Sequence, residues 1–575
     1  MRLQPIYDIA QICSQQGITY AVVCPGSRCA PLTVSFSRHP GIIVRTFSDE
    51  RSAAFIALGI AQQTQKPVVL ICTSGSAAYN FAPAIAEAYY SHVPLIILTA
   101  DRPKEWIDQL DGQTIRQKEI YGAHVKRYFE LPADYEHPDA VWSIHRSINE
   151  AINLSKQEIP GPVHVNIPLR EPLYPAKDES IDFTRSLRIV SEEKVSSSLS
   201  LADWEYIQQS WPSTKKVIIV GGQNQYDKKT KQLIASFVTT YKAVLIGDVI
   251  SNLHELTQSV RYADNFLAHA PEEVKKTLQP DLLITFGKSV ISKNLKLFFR
   301  KYLPNQHWHI QPAGEVADTY QALTKIIRCD QASFFSKMNT LEEGGDFENQ
   351  KRENYRLLWE AEEHRTHRKI NQFFERPVLS EFHFVHEIIH SLPASINLHL
   401  ANSMTVRYAN FIGLKSEEND ITIFSNRGTS GIDGCTSTVI GHSFYSDKLN
   451  LLITGDLAFF YDRNAFWHNY SMPNLRVIVL NNHGGVIFGM IDGPGSLPEA
   501  EEFFITKQKL SAKNLCQEFG IEYTLVDNVK KIKNVLKDFF EPDDRPKVIE
   551  IETDGKTSKE VFEQFKQLIK KGYES

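Results

Sequence analysis

Two short polar segments in the last third of the sequence have the residue types of a diphosphate site. The apolar run 449–454 is followed by Gly455 and Asp456, and the run 477–480 is followed by residues 481–485, Asn-Asn-His-Gly-Gly. A carboxylate, a carboxamide and a glycine-rich backbone therefore follow two predicted strands. Hard cations such as Mg²⁺ take oxygen ligands from one or two protein groups, and phosphates supply the rest. We predict a diphosphate held by a metal ion and by backbone N–H groups.

Basic residues form a second pattern. Four arginines lie close to Gly, Pro or Ser at the ends of predicted strands: Arg28, Arg102, Arg407 and Arg427. The planar guanidinium suits bidentate pairing with carboxylates, so this repeated placement predicts recognition of a carboxylate ligand.

Glu50 follows a strand and begins a helix, where capping and the helix dipole by themselves favour an acidic residue.

The elements that must position these residues alternate between strand and helix. In the first third, we predict strands at 20–24, 42–47, 67–72, 94–99 and 162–167, all buried on both faces, and helices at 51–62, 77–90 and 140–154. This alternation is typical of βαβ units in a doubly wound parallel sheet. Ligands bind such sheets at the carboxyl ends of the strands.

Two further units of the same kind follow. The second has predicted strands at 216–220, 243–246, 281–286 and 307–311, and the third has strands at 396–400, 449–454, 476–480 and 548–552 with a closing helix at 558–571. Polar linkers are predicted at 191–203 and 340–347, and a long charged helix at 350–374. We predict an α/β protein with three doubly wound parallel-sheet domains, at 1–190, 204–340 and 375–575.

Composition limits the classes of protein to which the chain can belong. The 575 residues carry a net charge of -5, which gives no electrostatic footprint for nucleic acid or for an anionic membrane. Seven scattered cysteines without CxxC spacing argue against a disulfide framework and a zinc site. No membrane span and no signal peptide are predicted. We expect a cytoplasmic protein.

The Gly455-Asp456 and Asn481-Asn482 pair resembles the diphosphate-binding signature of thiamin-diphosphate enzymes, although Leu457 stands where that signature usually has glycine. Other segments are similar to the menaquinone-pathway synthases within that family, which make 2-succinyl-5-enolpyruvyl-6-hydroxy-3-cyclohexene-1-carboxylate. The similar segments are 24–28 (CPGSR), 49–53 (DERSA), 73–77 (TSGSA), 99–103 (TADRP), 402–407 (NSMTVR) and 425–434 (SNRGTSGIDG). The resemblance implies an N-terminal pyrimidine-binding domain, a central domain and a C-terminal diphosphate-binding domain.

The resemblance also implies roles for individual residues. Glu50 is implied as the catalytic glutamate that binds N1′ of the cofactor's aminopyrimidine, and a raised pKa would suit it to that proton transfer. Ile432 is implied as the apolar side chain that supports the bent cofactor. The implied cofactor contacts are Glu50, Ser403, Arg427, Ile432, Asp456, Leu457, Asn482, Gly484, Gly485 and Ile487. The implied metal ligands are Asp456, Asn482 and Gly484, for Mg²⁺ or Mn²⁺. The implied substrate contacts are Ser27, Arg28, Arg102, Gln113, Lys293, Ser403, Arg407, Arg427, Ile487 and Phe488.

The implied reaction is decarboxylation of 2-oxoglutarate followed by conjugate addition of the succinyl unit to isochorismate. Both substrates carry two carboxylates and therefore require a cationic pocket, in agreement with the arginine pattern. In the family, the first domain of one subunit and the third domain of its partner hold one cofactor. The resemblance therefore implies a homodimer or homotetramer with active sites between subunits.

Three alternatives are weighed against this prediction. A carboligase of the acetohydroxyacid-synthase type would have FAD in the central domain and fewer cations in its pocket. A nicotinamide dehydrogenase would use Val220-Gly221-Gly222, but the sequence there lacks GxGxxG. A binding module without catalysis would not need Glu50, Asp456 and Asn482 together.

Overall fold

Three parallel β-sheets form the framework of the protein. The computed structural model describes residues 3–176, 180–193, 199–211, 215–342, 345–414, 419–490 and 493–574. In the described residues each sheet has six strands, and helices connect them. The predicted α/β class with doubly wound parallel sheets is confirmed.

The first sheet is built from the N-terminal part of the chain. Its strands are β1 (Tyr20–Val23), β2 (Ile43–Thr46), β3 (Val68–Cys72), β4 (Leu95–Asp101), β5 (Tyr128–Glu130) and β6 (Val163–Pro168). Its helices are α1 (Gln4–Gln15), α2 (Ala30–Arg38), α3 (Glu50–Thr64), α4 (Ser76–Asn80), α5 (Ala82–Ser91) and α6 (Pro138–Lys156). The strand order is β2-β1-β3-β4-β6-β5. Central strands such as β3 and β4 are buried at every position and mainly apolar, because helices cover both faces.

The second sheet belongs to the central part of the chain. Its strands are β7 (Val217–Gly221), β8 (Val244–Gly247), β9 (Ser259–Val260), β10 (Leu282–Phe286), β11 (Gln306–Ile310) and β12 (Lys325–Ile327). Its helices are α7 (Leu201–Ser210), α8 (Lys228–Tyr241), α9 (Ala263–His269), α10 (Glu272–Thr277), α11 (Lys293–Lys301) and α12 (Gln331–Met338). The order is β12-β11-β10-β7-β8-β9, so the strand order, though not the strand direction, reverses between β7 and β10.

The third sheet is reached through the long helix α13 (Asp346–Phe374). Its strands are β13 (Ser395–Leu400), β14 (Asp420–Phe424), β15 (Leu449–Gly455), β16 (Leu475–Asn481), β17 (Glu522–Val526) and β18 (Lys547–Glu552). Its helices are α14 (Glu381–His390), α15 (Met404–Ile412), α16 (Cys435–Ser443), α17 (Asp456–Tyr461), α18 (Ile487–Met490), α19 (Ala512–Glu518), α20 (Ile532–Phe540) and α21 (Gly555–Lys571). The order β14-β13-β15-β16-β18-β17 repeats that of the first sheet, strand for strand.

The first and third sheets share a hydrophobic core, because α3 packs directly on α16. A Cβ atom on Gly59 would lie 2.0 Å from the carbonyl oxygen of Thr438, and one on Gly441 would lie 2.2 Å from that of Ile56. Glycine is therefore required on both helices for this approach. A second core joins the central sheet to the third.

The crevice between β7 and β10 is where a doubly wound sheet usually binds a nucleotide. Here the backbone closes it: the N–H of Gly222 donates to the Phe286 carbonyl and that of Gln223 to the Ser289 carbonyl. A Cβ on Gly222 would lie 2.0 Å from the Lys288 carbonyl oxygen. The cavity beside these residues is about 70 Å³, well below the few hundred Å³ that cofactor sites occupy. This geometry is unfavourable for both the FAD-binding carboligase and the dehydrogenase alternatives.

Several local predictions need correction. β2 is not buried on both faces: its side chains are half-buried or exposed, and Ile43 is 50% exposed, because β2 is an edge strand. The helix predicted at 77–90 is divided at Phe81 into α4 and α5, with Pro83 in the first turn of the second helix. The edge or short strands β5, β9, β12, β14 and β17 were not predicted. Within the predicted linkers, residues 194–198, 343 and 344 lie outside the described residues.

Two further expectations concern the whole chain. All seven cysteines are buried free thiols. In the part of the chain that the structure describes, we find no helix that is both long enough and apolar enough to cross a membrane.

Candidate active site

A cavity of about 440 Å³ lies at the carboxyl edge of the third sheet. The segments that follow β13, β14, β15 and β16 enclose it, as expected for a doubly wound sheet. Many sequence-predicted site residues line it: Ser403, Arg407, Arg427, Ile432, Asp456, Leu457, Asn482, Gly484, Gly485, Ile487 and Phe488. The folding of the third domain alone therefore brings these residues together.

Asp456 is the buried carboxylate of this cavity. It begins α17 directly after β15 and is 1% exposed. Gln508 Nε2 donates to its Oδ2 at 2.6 Å, and the backbone N–H groups of Leu457 and Gly484 also donate to it. Burial raises the pKa of Asp456, and these hydrogen bonds oppose the rise. Because the donors favour the ionised form, Asp456 is suited to bind a cation.

Asn482 presents an unsatisfied oxygen in the same cavity. Its Nδ2 donates to Glu381 Oε1 at 2.6 Å, whereas its Oδ1 is buried and has no hydrogen-bond partner among the described residues. Buried carbonyl oxygens nearly always have a hydrogen-bond partner, so this oxygen indicates a binding position for a ligand. A hard cation with oxygen ligands fits the Asp456 carboxylate and this Asn482 oxygen.

Glu381 is a cavity residue that the sequence analysis missed. It begins α14, is 2% exposed, and accepts hydrogen bonds from Asn482 and from the Tyr408 hydroxyl. Burial raises its pKa to about 7, and the charge of Asp456 adds to the rise. The available signal was a glutamate in an aromatic run, Phe382 to Phe384, at a helix start that otherwise resembles an ordinary cap.

The two glycines of the predicted diphosphate clamp contact the segment that follows the cavity. Gly485 N–H donates to the Ile505 carbonyl, and a Cβ on Gly484 would lie 2.9 Å from that same oxygen. The π-helical turn Ala500–Ile505 therefore lies directly on these glycines. In this structure the N–H groups of Gly484 and Gly485 already have partners within the chain.

Two arginines give the cavity its positive charge. Arg427 Nη1 donates to Asn402 Oδ1 at 2.6 Å, while its Nε is buried without a partner among the described residues. Arg407 donates to the carbonyl of Ser403, whose φ of 73° is a strained backbone conformation for serine. Burial lowers the pKa of both guanidinium groups, and the charge of Arg407 further lowers that of Arg427. An anionic ligand would relieve this repulsion.

The remaining predicted cationic residues lie elsewhere. Arg28 is 7% exposed at the carboxyl edge of the first sheet, where Nη1 donates to the Leu169 carbonyl at 3.0 Å and Nε has no partner in the described chain. Arg102 pairs with Asp111 at 2.8 Å. Lys293 is exposed at the start of α11. None of the three lines the cavity of the third sheet.

Two polar residues share the first-sheet edge with Arg28 and Arg102. Ser27 Oγ lies 3.1 Å from the Tyr174 hydroxyl. Gln113 has a φ of 54°, and its backbone packs on the loop at Gly75, where a Cβ would lie 3.3 Å from the Gln113 carbonyl oxygen. These loops therefore form a second polar edge, separate within one chain from the third-sheet cavity.

Glu50 is half-buried at the first position of α3. Asp49 caps the helix by accepting from Ser52 N, and its other oxygen accepts from Asn464 Nδ2 at 2.7 Å. On the other side, Arg51 Nη1 donates to the Asp433 carbonyl at 2.7 Å. Both neighbours of Glu50 therefore bind the third domain of the same chain, and the Glu50 carboxylate itself makes no hydrogen bond to any residue that the structure describes.

Comparison with known families finds two matches. Residues 7–120 match the profile of the N-terminal TPP-binding domain of thiamine pyrophosphate enzymes. Residues 188–400 match that of the middle domain of thiamine pyrophosphate enzymes. The first match includes Glu50, and the second includes all six strands of the central sheet.

Three relatives that match nearly the whole chain carry the same name. A protein of Cytophaga hutchinsonii named 2-succinyl-5-enolpyruvyl-6-hydroxy-3-cyclohexene-1-carboxylate synthase is 47% identical over 572 residues, which cover 99% of this chain and 100% of the relative. Proteins of the same name from Flavobacterium johnsoniae and Bacteroides thetaiotaomicron are each 36% identical, over 98% of this chain and 98% and 99% of their own lengths.

Proposed function

Because the chain belongs to the family of 2-succinyl-5-enolpyruvyl-6-hydroxy-3-cyclohexene-1-carboxylate synthases, thiamin-diphosphate-dependent enzymes of menaquinone biosynthesis, we propose how its residues carry out that reaction. The substrates are 2-oxoglutarate, which is decarboxylated, and isochorismate, which accepts the succinyl unit. The observation that supports this most directly is the third-sheet cavity, where a buried carboxylate, an unsatisfied carboxamide oxygen and two arginines converge.

The metal ion is Mg²⁺ or Mn²⁺, with Asp456, the Asn482 Oδ1 and the Gly484 carbonyl as its protein ligands. The support is the unsatisfied Oδ1 and the buried Asp456 carboxylate in the same cavity, whose hydrogen-bond donors oppose the rise in pKa that burial causes. Glu381 holds the amide nitrogen of Asn482, so the oxygen remains available to the cation.

Ile432, Leu457 and Ile487 form the apolar wall against which thiamin diphosphate lies, and Ser403, Gly484 and Gly485 border its diphosphate. When bound, the cofactor supplies the electron sink for decarboxylation. Glu50 holds and transfers the proton at the aminopyrimidine N1′ atom, as a catalytic carboxyl group.

The carboxylates of the two substrates bind the cationic groups. Arg407 and Arg427 act from the cavity itself, and Arg427 offers its unpartnered Nε. The first-sheet edge and central domain supply Ser27, Arg28, Arg102, Gln113 and Lys293. Phe488 completes the apolar wall of the substrate site.

The active unit is a homodimer or homotetramer. Glu50, Arg28 and Arg102 do not line the cavity of their own chain. The first domain of one subunit therefore completes the third-domain cavity of its partner, which excludes water from the reacting atoms. The protein acts in the cytoplasm, and its domains are residues 1–190, 204–340 and 375–575.

The activity is tested by incubating the protein with thiamin diphosphate, Mg²⁺ and 2-oxoglutarate, with and without isochorismate. Release of CO₂ is expected with thiamin diphosphate, Mg²⁺ and 2-oxoglutarate, and a product of the mass of the succinyl adduct is expected only when isochorismate is also present. A chain that binds the cofactor but releases no CO₂ from 2-oxoglutarate would contradict the proposal.

The shared site is tested by mixing two inactive variants, Glu50→Gln and Asp456→Ala. If subunits exchange, each mixed dimer regains one of its two sites. Its activity should then approach half that of a wild-type dimer. Mixed dimers verified by mass spectrometry that stay inactive, or a fully active monomer in sedimentation, would exclude the shared site.

A further inference from the structure

A buried carboxylate of the first domain contacts the third-domain loop that carries Arg427 and Ile432. Glu87 lies in α5 and is 1% exposed. It accepts hydrogen bonds from Gly428 N at 2.8 Å, Thr429 N at 2.6 Å and Thr429 Oγ1 at 2.9 Å. Ser91 Oγ, one turn along α5, donates to the same carboxylate at 2.7 Å. Neither the sequence pattern nor the proposed reaction assigns Glu87 a role.

The loop lies so close to α5 that a side chain at Gly428 has no room. A Cβ there would be 2.6 Å from the Glu87 carbonyl oxygen and 2.8 Å from Ser91 Oγ. The glycine therefore allows the two backbone N–H groups to reach the carboxylate. Charge-assisted hydrogen bonds of this kind are stronger than neutral ones.

The same loop carries two cavity residues on either side of this attachment. Arg427 precedes Gly428, and Ile432 follows within the loop. Asn402 holds the loop from the other side, since its Nδ2 donates to the carbonyls of Asn426 and Gly431. Gly428 and Thr429, which bind Glu87, lie between Asn426 and Gly431 in the sequence. Glu87 therefore holds the part of the loop that Asn402 does not contact.

The central domain supports the same carboxylate. Lys288 donates from Nζ to the Ser91 carbonyl at 2.6 Å, and its charge is attracted by Glu87. A buried carboxylate is costly unless it is hydrogen-bonded and charge-compensated, and here all three domains contribute to that compensation.

We propose that Glu87 is a positioning residue: it holds Gly428 and Thr429 so that Arg427 and Ile432 face the cavity. The proposal rests on the proposed function only for its kinetic readout. Each first domain thus serves its own subunit's cavity through Glu87, while it offers Glu50 to the cavity of the partner.

The primary test is amide hydrogen exchange of residues 425–434 in the full-length protein. Glu87→Gln replaces one acceptor oxygen by an amide that faces N–H donors, so exchange in the loop should accelerate about tenfold or more. The control is Asp281→Asn, because Asp281 also accepts from two backbone N–H groups, those of Lys215 and Lys216, at the amino end of β10. That control should leave the loop unchanged. Equal exchange in Glu87→Gln and wild type would overturn the proposal.

A matched pair of milder variants keeps the test valid if Glu87→Gln does not fold. Thr429→Val and Ser91→Ala each remove one hydroxyl that donates to the same carboxylate, but only the first belongs to the loop. Loop exchange should rise in Thr429→Val and stay near wild type in Ser91→Ala. If both variants behave alike, the hydrogen bonds stabilise α5 generally and the positioning role is wrong.

Kinetics separates positioning from stability. In Glu87→Gln, displacement of Arg427 should raise KM for 2-oxoglutarate about tenfold, and displacement of Ile432 should weaken thiamin diphosphate binding. The affinity for Mg²⁺ should change little, because Asp456 and Asn482 lie outside the loop. A matching loss of Mg²⁺ affinity would indicate general disruption and overturn the proposal. If the wild-type protein does not turn over 2-oxoglutarate, the proposed function fails, and the exchange experiment still decides the role of Glu87.

Discussion

The first and third sheets have the same strand order, yet in the part of the chain that the structure describes the cavity of about 440 Å³ lies at the carboxyl edge of the third. In the first sheet, residues 47–49 join β2 directly to α3, whose first residue is Glu50. At the equivalent place in the third sheet, residues 425–434 form a long loop between β14 and α16, and this loop supplies Arg427 and Ile432. The topology sets where a ligand can bind, and the loops decide which ligand it is.

The difference extends to the charges at the two edges. At the first edge, Arg28 Nη1 donates to the Leu169 carbonyl and Arg102 pairs with Asp111. At the third edge, the buried Asn482 Oδ1 has no partner among the described residues. In the proposed function, two copies of one architecture therefore have different roles. The third would provide the enclosed binding site, and the first would provide the Glu50 carboxyl and the cationic loops.

The strongest test of this division is Glu50→Gln. We expect the turnover number to fall by about 10²–10⁴, because a general acid–base residue contributes on that order. Cofactor affinity, measured by calorimetry, should stay close to wild type, since the binding cavity belongs to the third domain. Near-normal turnover would mean that Glu50 has no catalytic role and only stabilises the start of α3.

The complementary change is Asp456→Ala in the third domain. It removes the buried carboxylate of the cavity, so thiamin diphosphate should bind at least about 10–100-fold more weakly at fixed Mg²⁺. Asp420→Ala, at the amino end of the same sheet, is the control and should bind normally. Calorimetry showing unchanged cofactor affinity in Asp456→Ala would remove this residue from the site.

Much of this comparison could be predicted from the sequence. Strands β3, β4 and β16 are buried at every position and β15 at every position except its two ends, so their mainly apolar runs identified them and the polar residues that follow them. Edge strands such as β2 and β14 have mixed exposure, and β5, β9 and β12 are only two or three residues long, so their patterns were weak or misleading.

Contacts between residues far apart in the sequence could not be predicted in this way. Glu87 and Glu381 act through hydrogen bonds to residues far along the chain, at Thr429 and Asn482. Periodicity and local motifs contain no information on such pairs. Both residues also stand in helices whose sequence is explained by local structure alone.

Glu381→Gln sharpens the comparison at the level of one hydrogen bond. Asn482 Nδ2 and the Tyr408 hydroxyl each donate to one oxygen of the Glu381 carboxylate, whereas the glutamine amide has a single, weaker acceptor oxygen. Asn482 Nδ2 is then held less firmly, and the Asn482 oxygen loses its fixed orientation. Metal affinity in the presence of cofactor should fall about 10–100-fold, as measured by Mn²⁺ titration. The melting temperature provides the control. A loss of stability without a loss of metal affinity would show that Glu381 only fills space in the third-domain core.

The smallest predicted effect asks whether the two sheets respond to acid in the same way. His164 in β6 and His399 in β13 are buried, and burial lowers the pKa of each to about 3 from an ordinary 6.5. Between these values the unfolded chain binds a proton that the folded chain does not, so the free energy of unfolding falls as pH decreases below 6.5. Each histidine contributes about 1.4 kcal/mol per pH unit in this range.

Replacing either histidine by glutamine should remove about that slope from denaturant-unfolding curves recorded between pH 6.5 and 5. His137→Gln, at an exposed position, should leave the slope unchanged. Equal changes for His164 and His399 would mean that the two scaffolds are electrostatically alike and differ only in their edge loops. If only one histidine alters the slope, the two sheets differ in their cores as well, and the division between them reaches deeper than the loops that carry Glu50 and Arg427.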